Sequence, residues 1–184
     1  MKITAIRPPR GVLPGVVPAE MVLARSEAAT VSLGRLWVYP TGFELRMSVD
    51  WDEASELDPF QHVLMRRGRD VPADSPERLV LGFAFADGSE TSNRERGRRP
   101  SVDRDSPTPT LTGMGTGAGG GHGSASFWLW PLPPPGSVEV FCEWRAAGIA
   151  PTRRALDAEA IAAAAGRAQK VFEDDDGQGR PGRA

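Results

Sequence analysis

The sequence predicts a mainly β fold, an antiparallel β-sandwich or an open barrel, with one C-terminal α-helix. Apolar and polar residues alternate at a spacing of two in several short segments, and turn-forming residues separate these segments. One alanine-rich stretch near the C-terminus has helical spacing instead. Many short strands followed by a single helix are typical of a sandwich or open barrel.

The first strands are predicted from residue 21 onward. Met21–Arg25 and Ala29–Leu33 are short apolar runs, and Leu36–Tyr39 follows Gly34, where we expect a bulge or a turn. Phe43–Trp51 alternates without error between apolar and polar side chains, which indicates an antiparallel strand with one solvated face. The intervening Pro40-Thr41-Gly42 is a turn signal, so Leu36–Tyr39 and Phe43–Trp51 are predicted to form a hairpin.

A second predicted hairpin lies in the middle of the chain. Leu79–Ala86 places Leu79, Leu81, Phe83 and Phe85 on one face. Asp87-Gly88 is a strong hairpin-turn pair, and Ser89–Ser92 is the expected return strand. Residues 52–78 are charged and sparsely apolar, and we expect a loop there.

The most informative stretch runs from Ser126 to Trp144 and holds three of the five tryptophans. Both of its halves, before Pro131 and after Gly136, show the alternation of a strand. The prolines between them cannot donate backbone hydrogen bonds, so strand pairing must stop there. This pattern predicts a local tryptophan-rich hairpin with a proline-stiffened corner.

The domain prediction is a single β-sandwich over residues 1–172 with a disordered internal loop at 93–124 and a disordered tail at 173–184. The loop is low in complexity, and such a composition buries too little apolar surface to offset its ordering entropy. After the tryptophans, Thr152, Arg154 and Leu156 indicate one more strand. Asp157 is a good N-cap for a helix over Ala158–Phe172.

Composition favours a protein without a strong charge field. The net charge is −2, which gives no overall attraction to nucleic acid or to an anionic membrane. The single Cys142 excludes an internal disulfide and fits a small core residue better than a nucleophile. The apolar run Ile3–Ile6 is too short for a signal peptide, and no window reaches a membrane span of ~20 residues. We therefore predict a cytoplasmic protein without membrane association.

Three motifs suggest chemistry, and each has a simpler interpretation. Gly115–Gly120 has G-x-G-x-x-G spacing but lacks the preceding strand and following helix of a phosphate loop. The basic runs Arg66–Arg69 and Arg94–Arg99 are interrupted or followed by acidic residues, which favours solvated loops over a nucleic-acid site. The acidic segment Asp50–Asp58 around Trp51 suggests sugar chemistry or Ca²⁺ ligation, but it lacks EF-hand spacing, and we interpret it as a solvated turn.

The sequence supports no catalytic residue, no cofactor and no metal site. His62 and His122 are the only histidines, and no pattern places them beside Cys142. Ser124 and Ser126 lack a nucleophile-elbow context.

The aromatic residues predict an interaction surface. Exposed aromatic residues commonly mark protein interfaces, and the P-x-x-P pattern after the tryptophans is a known peptide-ligand pattern. The alternative is that a second layer, such as the terminal helix, covers these rings. The candidate surface comprises Trp128, Trp130, Pro133, Pro134, Trp37 and Tyr39.

The block Phe127-Trp-Leu-Trp-Pro-Leu-Pro-Pro-Pro-Gly136, with Phe141-Cys-Glu-Trp144 and Gly148-Ile149 after it, resembles a recurrent block in a family of actinobacterial proteins without known activity. Leu81–Gly88 and the Gly-rich loop are similar to that family's layout, over roughly residues 20–172. The resemblance implies a small intracellular protein with a variable loop and transfers no functional residue.

The leading functional hypothesis is a non-catalytic module that binds another protein. One alternative is a carbohydrate- or small-ligand-binding protein, or a hydrolase, that uses the acidic region around Trp51. A second alternative, which the charge disfavours, is nucleic-acid binding through the arginine-rich loops.

Overall fold

A computed structural model describes residues 7–53, 72, 74–95 and 107–172. Within these residues the chain forms twelve strands and one α-helix. In chain order they are β1 Val12–Leu13, β2 Gly15–Val17, β3 Met21–Arg25, β4 Ala29–Tyr39, β5 Gly42–Trp51, β6 Val80–Phe85, β7 Glu90–Ser92, β8 Thr110–Gly119, β9 His122–Trp130, β10 Val138–Trp144, β11 Ile149–Leu156, α1 Ala158–Arg167 and β12 Gln169–Lys170.

The larger sheet has six strands in the order β2-β4-β5-β9-β8, with β3 also paired to β4. Strand β4 is long enough for β3 to pair with its first half and β2 with its second half. The register of β4 against β5 shifts between Leu33 and Leu36, which is the bulge predicted near Gly34. Each pairing in this sheet is antiparallel.

The smaller sheet has four strands in the order β11-β10-β6-β7, again antiparallel. The side chain of Asn93 extends its β6–β7 edge, because its amide oxygen accepts from the Leu81 N–H at 3.2 Å and its nitrogen donates to the Leu79 carbonyl at 2.9 Å. A separate two-stranded pair joins β1 to β12 near the chain ends.

The two larger sheets face each other around one hydrophobic core. The apolar face of β5 supplies Phe43, Leu45, Met47 and Val49, all fully buried. Across the layer, the ring of Phe83 meets Phe43 edge-to-face at 5.6 Å between centroids. Trp144 is also buried in this core. The predicted mainly β sandwich with one helix is thus confirmed.

Helix α1 packs against the inner side of β2. Asp157 is its N-cap and accepts a hydrogen bond from the Ala160 N–H at 2.8 Å. Ile161 and Ala164 are its buried residues and belong to the main core. The helix ends at Arg167, earlier than the predicted Phe172, and β12 follows it.

Two predictions about the tryptophan-rich half of the chain were wrong. Strands β9 and β10 do not pair with each other: β9 lies between β5 and β8, and β10 lies between β6 and β11. The proline segment therefore carries the chain from one sheet to the other. The predicted disorder over 93–124 also fails from residue 110 onward, since Thr110–Gly119 forms β8 and β9 begins at His122.

Other predicted elements agree with the structure. Strand β3 has the predicted bounds, β4 and β5 form the predicted hairpin, and Gly88 has the positive φ of 81° expected in the turn before β7. The predicted strand near Thr152 is β11. The predicted tail at 173–184 and most of the predicted 52–78 loop lie outside the described residues. Helix α1, of ten residues, falls short of the length needed to cross a membrane, and no other described helix reaches it.

Candidate functional site on the outer face of the six-stranded sheet

The six-stranded sheet has an outer face that points away from the shared core. Alternation along the strands places Trp37 and Tyr39 of β4, Glu44 of β5 and Trp128 of β9 on this face. The register brings them together, because Trp37 lies directly opposite Glu44, and Glu44 lies directly opposite Trp128. Directly opposed residues have side chains within contact distance of each other.

We define the aromatic–carboxylate cluster as Trp37, Tyr39, Glu44, Trp128 and Trp130. Within it, the rings of Tyr39 and Trp128 meet edge-to-face, with centroids 5.6 Å apart and planes at 75°. Trp128, Trp130 and Tyr39 form a hydrophobic cluster separate from the main core. Four of the six residues predicted for the interaction surface are therefore neighbours on one sheet face.

The members of the cluster differ in burial. We call the buried Trp128 and Trp130 the floor, and the partly exposed Trp37, Tyr39 and Glu44 the rim. Trp128 is 0% exposed and Trp130 is 4% exposed, so the prediction that these two rings are themselves a contact surface was wrong. Trp37, Tyr39 and Glu44 are partly exposed. The suggested cover by the terminal helix was wrong as well, since α1 contributes to the main core and not to this cluster.

The floor tryptophan sits tightly on the neighbouring strand. A Cβ atom added to Gly42 would lie 2.9 Å from Cζ2 of Trp128 and 2.2 Å from the carbonyl oxygen of Leu129. Glycine at position 42 therefore allows the indole to lie close to the β5 backbone. In this packed position Nε1 of Trp128 is buried and has no hydrogen-bond partner among the described residues.

Glu44 is a second polar group of the cluster. No hydrogen bond or ion pair with its carboxylate is found within the described part of the chain, although the group is partly buried between aromatic rings. Burial raises the pKa of Glu44 above its ordinary value. Burial also raises the pKa of the Tyr39 hydroxyl, and the nearby Glu44 carboxylate raises it further.

The other end of the same face is polar. His122 Nδ1 lies 2.7 Å from Asp50 Oδ1, with both side chains about half exposed. Arg46 donates from Nη2 to the Ser124 hydroxyl at 2.8 Å. A histidine oriented by an aspartate is part of many hydrolytic sites, but the remaining requirements are a nucleophile within reach of the other ring nitrogen and an oxyanion-binding group. Here the exposed pair serves as a polar contact between β5 and β9.

The contact between Asp50 and His122 was not predicted from the sequence. Asp50 was predicted near the end of the strand Phe43–Trp51, but His122 was predicted to lie in the disordered glycine segment, so no contact between them was expected. The available signal was the start of an alternating strand at His122, which continues into Ser124 and Ser126 on the same face.

The outer face of the four-stranded sheet carries a complete cation site made by the chain itself. The Arg153 guanidinium lies 5.1 Å from the centroid of Phe141 and contacts Glu90 at 2.8 Å and Glu139 at 3.4 Å. Gly82 leaves room for the Phe141 ring, because an added Cβ would lie 2.2 Å from its Cζ atom. There the arginine makes a cation–π contact with the ring and ion pairs with two carboxylates of the same chain.

The described residues do not bring the remaining predicted sites together. Trp51 packs against the main core, while Asp52 and Glu53 are exposed; Glu56, Asp58 and His62 lie outside the described residues. The described residues contain no group of three or more His, Cys, Asp or Glu side chains that could hold a metal ion.

Arginine and cysteine positions also have local explanations. Arg94 pairs with Glu143 at 2.7 Å, whereas 66–69 and 96–99 lie outside the described residues. Cys142 is fully buried, and burial raises its pKa to about 12, which is unfavourable for a nucleophile. Gly115–Gly119 belongs to an edge strand, and Pro133 and Pro134 are partly buried beyond the end of β9.

Comparisons with known proteins add no assignment to this geometry. No protein-family model matches the chain, and no curated protein or solved structure matches it either. The resemblance to the actinobacterial family stays a prediction.

Proposed function

We propose that the protein is a non-catalytic module that binds another protein through the aromatic–carboxylate cluster. The observation that carries the proposal is the partly exposed rim of Trp37, Tyr39 and Glu44 above a floor of buried tryptophans. Aromatic side chains supply much of the energy of protein interfaces, above all where surrounding residues hold them rigidly.

A rigid floor favours specific recognition over nonspecific binding. Trp128 is packed closely against Gly42 and Tyr39. The rim residues therefore lie on a surface whose rearrangement would cost free energy. A surface ordered before binding loses less conformational entropy when a partner arrives.

The acidic region around Trp51 supports its alternative less well. Asp50 is engaged with His122, and the Trp51 ring packs against the core, so the described part of this region presents neither paired carboxylates nor an open stacking platform. The charge balance still disfavours nucleic acid, and Arg94 is already paired with Glu143.

The test is partner capture with matched variants. Trp37→Ala and Tyr39→Ala remove rim rings, while Trp128→Ala would create a large cavity and is unsuitable. Phe141→Ala removes a partly buried ring from the opposite sheet and is the matched control. All variants are first checked for folding by circular dichroism.

We expect a partner that binds the unaltered protein and Phe141→Ala but is lost or weakened about 30-fold or more by Trp37→Ala, as for an interface hot spot of ~2 kcal/mol. If each captured protein binds all variants equally, or if none is captured, the proposal is wrong. A glycan array and gel shifts at low salt test the two alternatives on the same samples.

A further inference from the structure

Glu44 and Trp128 are unsatisfied polar groups that lie side by side. They are directly opposite each other on β5 and β9, and neither the Glu44 carboxylate nor Trp128 Nε1 has a partner among the described residues. Partly or fully buried polar groups are normally paired, because leaving them unpaired costs free energy. The Trp128 N–H is fully buried, so the partly exposed carboxylate is the open group that a ligand can reach, and its oxygens accept hydrogen bonds from a donor.

The charge and the surroundings of the carboxylate define the missing group. Glu44 has Trp37 directly opposite on β4, Trp128 directly opposite on β9, and Tyr39 two residues beyond Trp37 on the same face. A carboxylate attracts a cation, and the faces of aromatic rings attract the same cation through their quadrupoles. The combination therefore selects a positively charged group over a neutral one.

The arginines nearest in sequence to this face are engaged elsewhere. Arg46, two residues from Glu44 on the same strand face, donates to Ser124 at 2.8 Å. Arg35, two residues before Trp37, is exposed and lies 3.9 Å from Glu20. Among the described residues, the cluster thus has no cation of its own.

The opposite sheet shows the same chemistry in its complete form. There Arg153 lies over Phe141 and pairs with Glu90 and Glu139, all within one face. The aromatic–carboxylate cluster has aromatic rings and one carboxylate, and none of the described arginines occupies the position that Arg153 has there.

We propose that Glu44 and the rings around it bind the guanidinium group of an arginine side chain presented by the partner protein. This rests on the proposed function and names the group that the cluster recognises. Guanidinium is planar and weakly hydrated, so it stacks on aromatic faces and can donate two parallel hydrogen bonds to one carboxylate. Lysine offers a compact, strongly hydrated charge and is the weaker ligand here.

The test uses short peptides on the folded, full-length protein. Acetyl-Gly-Arg-Gly-amide is compared with the same peptide containing lysine or citrulline, which has nearly the shape of arginine but no charge. Binding is followed by the indole N–H resonances in ¹H–¹⁵N NMR spectra, and the Trp37 resonance is assigned with Trp37→Phe.

We expect the arginine peptide to shift the Trp37 and Trp128 indole resonances saturably and to bind about tenfold more tightly than the citrulline peptide. The lysine peptide should fall between them, and added salt should weaken arginine binding. Glu44→Gln should lose about tenfold in affinity for the arginine peptide, whereas Glu27→Gln, which makes the same charge change at an exposed residue, should leave it unchanged.

Equal affinity for the arginine and citrulline peptides would overturn the proposal, as would absence of any indole shift or full affinity in Glu44→Gln. The peptide comparison needs no variant, so a folding defect cannot obscure it. If the peptides fail but Trp37→Ala still loses a captured partner, the arginine assignment falls and the proposed function stands. If the arginine peptide binds but no partner depends on Trp37, the cluster is an arginine site and the protein-binding function falls.

Discussion

At the scale of single residues, Glu44 is the side chain whose position is hardest to explain by stability alone. A partly buried carboxylate without a partner loses part of its hydration and gains no ion pair in return. Its neighbours across the strands are tryptophans, which would tolerate an apolar residue at the same position. This unfavourable position is the reason why we propose that Glu44 binds an arginine side chain of a partner.

The raised pKa of Glu44 gives a pH dependence with a defined sign. The unfolded chain has an ordinary glutamate pKa of about 4.3, and the folded protein holds this proton more tightly. Between these two pKa values the folded state binds more protons than the unfolded state, so this group's contribution to stability is full below about pH 4 and is lost as the pH rises through the folded-state pKa.

Glu44→Gln should remove this pH dependence, because glutamine does not ionise and so avoids the cost of burying the charge. We expect the variant to match or exceed the unaltered protein in its free energy of unfolding at pH 7, with the difference shrinking as the pH falls toward 4. Urea unfolding at several pH values measures it, with Glu27→Gln as the exposed control. A Glu44→Gln variant that is less stable at pH 7 than at pH 4, relative to the unaltered protein, would contradict this account.

The sheet face on which a strand residue lies was predictable from the sequence, but the burial of its side chain was not. Alternation along a strand puts Trp37 and Tyr39 on the face opposite to that of Leu36 and Val38, and the structure has them there. Alternation could not decide which aromatic rings would be covered, because cover depends on elements far away in sequence. Trp128 is therefore a buried floor although the sequence allowed it to be a surface residue.

At the scale of elements, the glycine-rich segment shows where composition misleads. Glycine is unfavourable in strands, and Thr110–Gly119 has few apolar side chains to bury. It nevertheless forms β8, since β9 provides a paired edge along its whole length and the tight turn at Gly120 and Gly121 has positive φ at both residues. The pairing partner, and not the local composition, determines this strand.

The connection between β9 and β10 was mispredicted for a related reason. Two alternating segments around a short turn normally pair as a hairpin. Here the prolines and Gly136 separate them by a seven-residue crossing, Pro131–Ser137, so β10 pairs with the distant β6 instead. Proline content alone does not distinguish a stiff corner within a sheet from a crossing between sheets.

Gly15→Ala tests how closely the helix approaches its sheet. An added Cβ at Gly15 would lie 2.2 Å from the Ala164 carbonyl oxygen, a backbone atom of α1 that cannot move away independently. We expect a loss of about 1–3 kcal/mol or more in the free energy of unfolding, as for an overpacked interior. Urea unfolding measures it, and Gly117→Ala on β8, where nothing lies within 4 Å, is the matched control. Equal urea midpoints for the two variants would show that α1 moves to accommodate the added methyl group without a loss in the free energy of unfolding.

At the scale of the whole molecule, the fold class was predictable and the strand order was not. Period-two alternation reports that a strand has a buried face, and enough such strands give a layered β fold. It carries no information about which strands are neighbours, so the assignment of β9 and β10 to different sheets and the position of the candidate site could come only from tertiary structure. The site itself joins three strands, β4, β5 and β9, and two of them are separated in sequence by more than seventy residues.

The Phe43–Phe83 contact tests whether the two sheets form one cooperative unit. The rings belong to different sheets, are fully buried and meet edge-to-face at 5.6 Å between centroids. A double-mutant cycle with Phe43→Leu and Phe83→Leu should give a coupling energy of about 0.5–1.5 kcal/mol, the usual value for such an aromatic pair beyond its buried area. The control cycle combines Phe43→Leu with Phe172→Leu, because Phe172 is 76% exposed, and should be additive within about 0.5 kcal/mol. Additivity in both cycles would mean that the sheets do not stabilise each other through these rings.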